Sequence, residues 1–189
     1  MKNILFLFFV CCIVPLTAQN VGYQKPDKAI LDLVDVPLAP GVLMDDAREY
    51  MVLTYRDAYK SIEDLSRQEM RLGGLRIDPA TNIGSRTTYS NKIAVRRVTG
   101  ETELMEVMGL PDKPKLSNFT WSPDQTKVAM THTTPIGVEV WFLDVAAASV
   151  KRVTSASTSP VNANLGDVIN WFEDGQSMLR RSYTSPSPR

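Results

Sequence analysis

Apolar and polar positions alternate in short runs over most of this chain, and the runs come in a repeated order. An aromatic residue ends one run, a tight acidic turn follows, and an apolar run returns. Trp121-Ser122-Pro123-Asp124-Gln125-Thr126-Lys127-Val128-Ala129-Met130 is one copy, and Trp171-Phe172-Glu173-Asp174-Gly175-Gln176-Ser177-Met178-Leu179 is another. Val42 to Leu53 reads as a degenerate earlier copy, with Asp45-Asp46-Ala47-Arg48 in the turn and Asp46 matched to Asp124 and Asp174. Each turn has a stated chemistry: proline presets φ, and an aspartate side chain caps the backbone beyond it. The tryptophan supplies a large apolar area for packing between neighbouring sheets.

Alternation and β-branched content place the strands. Residues 93–98 and 103–107 form a hairpin across Thr99-Gly100-Glu101, and 119–121, 128–133, 138–143 and 150–154 make a sheet. In the third strand of that sheet Val138, Val140 and Phe142 point one way, and Glu139, Trp141 and Leu143 the other. Apolar groups on both faces fit a sheet packed between neighbours. Residues 167–171 open a third unit. Repeats at this scale predict an all-β fold, an incomplete β-propeller of two to three blades spanning residues 41–179. The competing fold is an antiparallel sandwich.

Unequal repeat spacing requires an insertion in the first blade. Ser61-Ile62-Glu63-Asp64 reads as a helix-capping signal, with a helical stretch expected to Leu72 and Gly73-Gly74 stopping it. Residues 75–86 read as a loop, and the whole excursion is expected to protrude. Ahead of the repeats, residues 19–40 form a lead-in. Pro26 opens a short helical turn there, and Pro37 and Pro40 close it.

Residues 1–18 have the layout of a secretory signal peptide: Lys2, an apolar run from Ile4 to Val14, and a small-residue exit at Ala18. The run is short for a permanent membrane anchor, so none is expected. Both cysteines, Cys11 and Cys12, lie inside it. Cleavage after Ala18 leaves a chain with no disulfide, thiol nucleophile or cysteine metal site. Export without disulfides points to a periplasmic or secreted location. At the other end, residues 180–189 read as a disordered or aberrant tail, as at a truncated or frame-shifted end. The balance of 21 Lys+Arg against 21 Asp+Glu gives no basic excess for nucleic acid.

Several segments resemble one family. Tyr23-Gln24-Lys25-Pro26, Ile30 to Pro37, Ser61 to Leu65, Leu72-Gly73-Gly74-Leu75-Arg76-Ile77-Asp78 and Asn82 to Arg86 are similar to the N-terminal region of glutamyl endopeptidase-like serine peptidases of the prolyl oligopeptidase family. So are Thr120 to Asp124 and Val138 to Asp144. The resemblance implies a propeller that restricts access to a C-terminal α/β-hydrolase domain with a Ser-Asp-His triad. These 189 residues contain no Gly-x-Ser-x-Gly nucleophile elbow, and His132 is the one histidine. No catalytic residue is assigned, no cofactor or metal is implied, and peptide substrate is expected only together with the hydrolase domain. The chain alone is expected to be inactive.

A peptidase that prefers acidic side chains needs a cation for the substrate carboxylate, and arginine suits it through its planar fork. Arg71, Arg76 and Arg86 flank the insertion and are the candidate substrate-binding residues. Solvated surface arginines are the alternative. Trp121, Asp124, Trp171 and Asp174 are assigned to structure, as is His132. The competing functional class is a non-catalytic periplasmic TolB-like propeller that binds protein partners. The turn motif suits both classes, and the Leu72 to Asp78 segment favours the peptidase.

Overall fold

A computed structural model of the chain describes residues 24–100, 103–158, 160–164 and 166–182. The expected signal peptide, both cysteines and residues 183–189 lie outside the described residues. Two compact units divide the chain at Val36 and Pro37. In the first, helix α1 (Lys28–Val34) follows Asp27, and Lys28 pairs with Asp32 one turn on. The expected helical turn of the lead-in is present.

The second unit is mostly β. Strands β1 (Gly41–Met44), β2 (Tyr50–Tyr55), β6 (Lys92–Arg97) and β7 (Met105–Glu106) form one four-stranded antiparallel sheet in that order. Strands β8 (Leu116–Trp121), β9 (Lys127–Thr134), β10 (Gly137–Asp144) and β11 (Ser149–Arg152) form a second. Strands β12 (Ile169–Trp171) and β13 (Met178–Arg180) make a hairpin. The strands expected from alternation are therefore present, and β6 meets β7 as the sequence predicts.

Two apolar layers flank the second sheet. Val52, Ile93 and Val95 of the first sheet pack with Leu116, Val128, Met130 and Leu143 of the second, and Trp121 and Trp141 cover this layer. On the other face Ala129, Val138 and Val140 pack with Val161, Val168 and Ile169, and Trp171 covers that layer. The division within β10 follows the strand period of two: Val138 and Val140 face one neighbour, Trp141 and Leu143 the other. A buried aliphatic side chain contributes about 1.5–3 kcal/mol. These layers are the main apolar contribution to stability.

The three turns β1–β2, β8–β9 and β12–β13 share one hydrogen-bond frame. The first turn residue donates from its amide to the carbonyl five residues on, as in Asp45 to Tyr50 (3.2 Å), Ser122 to Lys127 (2.9 Å) and Phe172 to Ser177 (3.0 Å). The fourth residue returns a bond to the first and takes positive φ: Arg48 at 58°, Gln125 at 58° and Gly175 at 63°. This frame corrects one equivalence. Asp124 and Asp174 share the third turn position, where the first copy has Ala47 and not Asp46. There Asp45 caps instead, accepting from the Glu49 and Tyr50 amides at 2.8 and 3.1 Å. Successive turns also touch. The Asp46 amide donates to Gln125 Oε1, and a Cβ on Gly175 would sit 3.0 Å from Asp124 Cγ.

The insertion differs from expectation in three respects. Ser61 caps α2 as predicted, accepting from the Asp64 amide, but α2 (Ile62–Ser66) ends well before Leu72. Strands β3 (Met70–Leu72), β4 (Leu75–Asp78) and β5 (Ile83–Gly84) follow and pair as a small sheet where a helix and a loop were expected. The physical reason is Gly73-Gly74. Both have positive φ (54° and 88°), the geometry of a tight hairpin turn, and do not act as a helix stop. Nor does the insertion simply protrude. Ile77 and Ile83 are buried, Ile83 joins the second apolar layer, and it bridges Ala163. Folding back removes these isoleucines from water. At the chain's end, β13 runs through Arg180 and Ser182 bridges Val161. Pairing thus continues past the break expected at residue 180.

Candidate functional site

The insertion and the first sheet's margin enclose a cleft of about 1000 Å³. Its walls come from residues 56–78, 85–91 and 113–115. Eight Lys and Arg side chains line it against five carboxylates. The chain as a whole is neutral, so the cleft holds a local positive excess, and concave walls strengthen such a field.

Three polar contacts fix its frame. Lys115 reaches Asp64 at 2.6 Å and lies over the Tyr89 ring, tying the second sheet's leading edge to α2. Partial burial opposes ionisation of Asp64, but hydrogen bonds from Lys115 and Ser61 outweigh it and hold the carboxyl below its usual value. Arg67 donates to buried Asp78 at 3.1 Å, and Asp78 in turn accepts from the Ala80 amide at 2.9 Å.

Arg71, Arg76 and Arg86 all line this cleft. These are the three arginines named from the sequence, and their surroundings differ. Arg71 and Arg76 stand opposite each other on β3 and β4. Both donate to Glu69 Oε1, at 2.9 and 3.0 Å, while Ser85 donates to Oε2 at 2.6 Å. The Ser85 hydroxyl, followed by Arg71, pulls the Glu69 carboxyl down to about 2. Arg86 is exposed and makes no hydrogen bond or ion pair among the described residues.

Glu69 and Ser85 were missed from the sequence. Glu69 and Arg71 lie two residues apart, which puts them on one side of an extended chain but not of a helix. Reading the segment as a strand would have paired them. Nothing in the sequence marks Ser85.

The repeat residues lie at strand ends and in the turns between strands, outside the cleft's lining. Trp121 ends β8 against the first apolar layer, and Trp171 ends β12 against the second. Trp171 Nε1 donates to the Thr120 carbonyl at 3.3 Å, beside Trp121. The Ser122 hydroxyl lowers the Asp124 carboxyl, and the Ser177 amide lowers that of Asp174. His132 is buried on β9, 3.6 Å from Glu139 and edge-on to Trp141. Burial lowers its pKa, with Glu139 opposing. Glu139 also accepts from Trp141 Nε1 and the Ala156 amide. Among the described residues, no group of three or more His, Cys, Asp or Glu could hold a metal ion.

Over 183 residues, 91% of this chain, the sequence is 26% identical to a protein described as a probable glutamyl endopeptidase, chloroplastic, of Arabidopsis thaliana. It is also 26% identical over 168 residues to a protein of the same description from Oryza sativa subsp. japonica. The similarity is to the N-terminal part of these proteins, and the chain spans 18% of the length of each. No family model matches the chain, and no solved structure matches it.

Proposed function

We propose that this chain is the propeller portion of a serine peptidase resembling the glutamyl endopeptidases, and that its sheets are successive blades. The observation that carries the reading is similarity to the plant proteins along 91% of the chain. Two four-stranded antiparallel sheets joined face to face, with one turn frame used three times, support it. Acyl transfer belongs to an α/β-hydrolase domain outside these residues. The propeller limits which peptides reach that domain, and the basic cleft meets their acidic side chains. Alone, the chain hydrolyses nothing. The whole protein works in an exported compartment.

The test uses an antibody against the 189-residue chain to isolate its native form from source cells, followed by a fluorophosphonate probe. Labelling of a serine on a longer polypeptide, with cleavage after glutamate, is expected. No labelled polypeptide, or a label on the 189-residue chain itself, would contradict the reading.

A further inference from the structure

The Nδ1 atom of buried His132 has no hydrogen-bond partner among the described residues. Opposite His132 in register stand Glu139 on β10 and apolar Leu116 on β8. Lys115, beside Leu116, is committed to Asp64 at 2.6 Å. Glu139 is thus the charged group that acts on the imidazole, from 3.6 Å, just beyond hydrogen-bond reach. Its buried carboxylate is shared. The Ala156 amide donates to Oε1 at 3.2 Å, and Arg152 of β11 approaches the same oxygen at 3.6 Å. Trp141 Nε1 donates to Oε2 at 3.0 Å, the oxygen that His132 faces.

This carboxylate ties the interior of the second sheet to the segment after β11. The Val153 and Thr154 amides of that segment donate to the Val140 carbonyl, and the Val161 amide donates to Val138. Further on, the segment holds the insertion from behind. The Ala163 amide donates to the Asn82 carbonyl, the Asn164 side chain donates to the Asn82 side chain, and Ala163 bridges Ile83. A run of direct contacts therefore leads from His132 to the insertion that walls the cleft.

We propose that His132 and Glu139 form a pH-sensitive clasp: protonation of His132 draws the Glu139 carboxylate off the Ala156 amide, freeing the segment after β11 and, through Ala163 and Asn164, the rear anchor of the insertion. A neutral imidazole leaves Glu139 with Ala156. A buried imidazolium needs a counter-charge, and Glu139 is the carboxylate in reach. Burial opposes the charged form of His132 while Glu139 favours it, so a state in which the two pair directly takes up the proton more readily. Falling pH then shifts the balance towards that state. The Arg152 side chain is 55% exposed, so the departing carboxylate leaves no buried cation behind. The clasp operates whether or not the cleft is a peptide path.

Hydrogen exchange on the full 189-residue chain, corrected for intrinsic rates, tests this between pH 8 and 5. His132 is the one histidine, so no other side chain of ordinary pKa titrates in that range. Protection of residues 153–164 is expected to be lower than that of the β9–β10 amides at every pH. It should fall further below about pH 6.5, by up to about tenfold per pH unit, the limit for one proton. Asn82 and Ile83 should follow. His132→Gln should remove the dependence, and Glu139→Gln should lower protection at pH 8 and make it flat. Circular dichroism at pH 8 checks that both variants fold, and if neither does, the wild-type profile decides. Protection of residues 153–164 that ignores pH, or that equals β9–β10 protection throughout, would overturn the clasp. So would an unchanged dependence in folded His132→Gln. A response confined to residues 153–158, with Asn82 and Ile83 unmoved, would overturn the link to the insertion.

Discussion

The second sheet and the insertion are neighbours built on opposite principles. The second sheet is held by apolar layers on both faces, with Val128, Met130 and Leu143 on one side and Val138 and Val140 on the other. The insertion has one apolar anchor at Ile77 and Ile83, where Asn82 also accepts from the Asn164 side chain and the Ala163 amide, and its cleft side is held by charged pairs: Lys115 to Asp64, Arg67 to Asp78, and Arg71 and Arg76 to Glu69. Apolar burial is non-directional and gives the stable platform. Exposed charge contributes little to stability but presents directed hydrogen-bonding groups to the cleft. Scaffold and site are thus separated within one compact unit.

The sharpest way to break this contrast is to remove buried volume from the sheet. Leu143→Ala should cost about 2–5 kcal/mol, read as a shift in the denaturation midpoint. Arg71→Ala, at the exposed end of the insertion, should change stability by less than about 1 kcal/mol. Comparable losses from the two would remove the distinction.

The shared turn frame comes next in size. At Gly175 a side chain meets both positive φ and the Asp124 carboxylate. Gly175→Val should cost about 1–3 kcal/mol. Arg48→Gly and Gln125→Gly relieve the same left-handed geometry, so each should leave stability unchanged or higher by up to about 1 kcal/mol. Gln125 also loses its bond to the Asp46 amide, so Arg48 should show the larger gain.

The two regions should also respond to acid in different windows. His132 has a lowered pKa in the folded chain, chiefly from burial. The unfolded chain therefore takes up the proton first, and the sheet loses stability as pH falls below about 6.5. His132→Gln should flatten that limb in denaturation curves taken from pH 8 to 5. Glu69 is a depressed carboxyl, so its contribution is intact above its ordinary value and disappears as pH falls through about 2. Protection of the β3 and β4 amides, measured against their intrinsic exchange rates, should therefore hold above about pH 4.5 and fall towards pH 2, and Glu69→Gln should abolish that dependence. This last effect is the smallest, because the group is open to water.

The same contrast explains what could be read from residues alone. Strands β8 to β10 were legible because a sheet with two packed neighbours must place apolar groups at a period of two, and the Trp121 and Trp171 copies repeat their turn chemistry. The first turn was misaligned by one position because two adjacent aspartates, Asp45 and Asp46, could each serve as the cap. Backbone bonds show that Asp45 does so. In the insertion, Ser61 correctly announced a helix, but Gly73-Gly74 fits either a helix stop or a hairpin turn. Taking the first option hid the Glu69–Arg71 pairing. Ser85 reaches Glu69 only through the fold-back from β4 to β5, a tertiary event with no local signature.

The central claim is that the two sheets and the β12–β13 hairpin are consecutive stacked repeats of a larger disc. A cryo-EM map of the complete native protein tests it most directly. It should show Trp121 and Trp171 in equivalent inter-sheet layers, with further four-stranded sheets continuing beyond β12–β13 towards closure. A map in which β1–β2 and β12–β13 close directly on each other around the second sheet, as a self-contained sandwich, would contradict it.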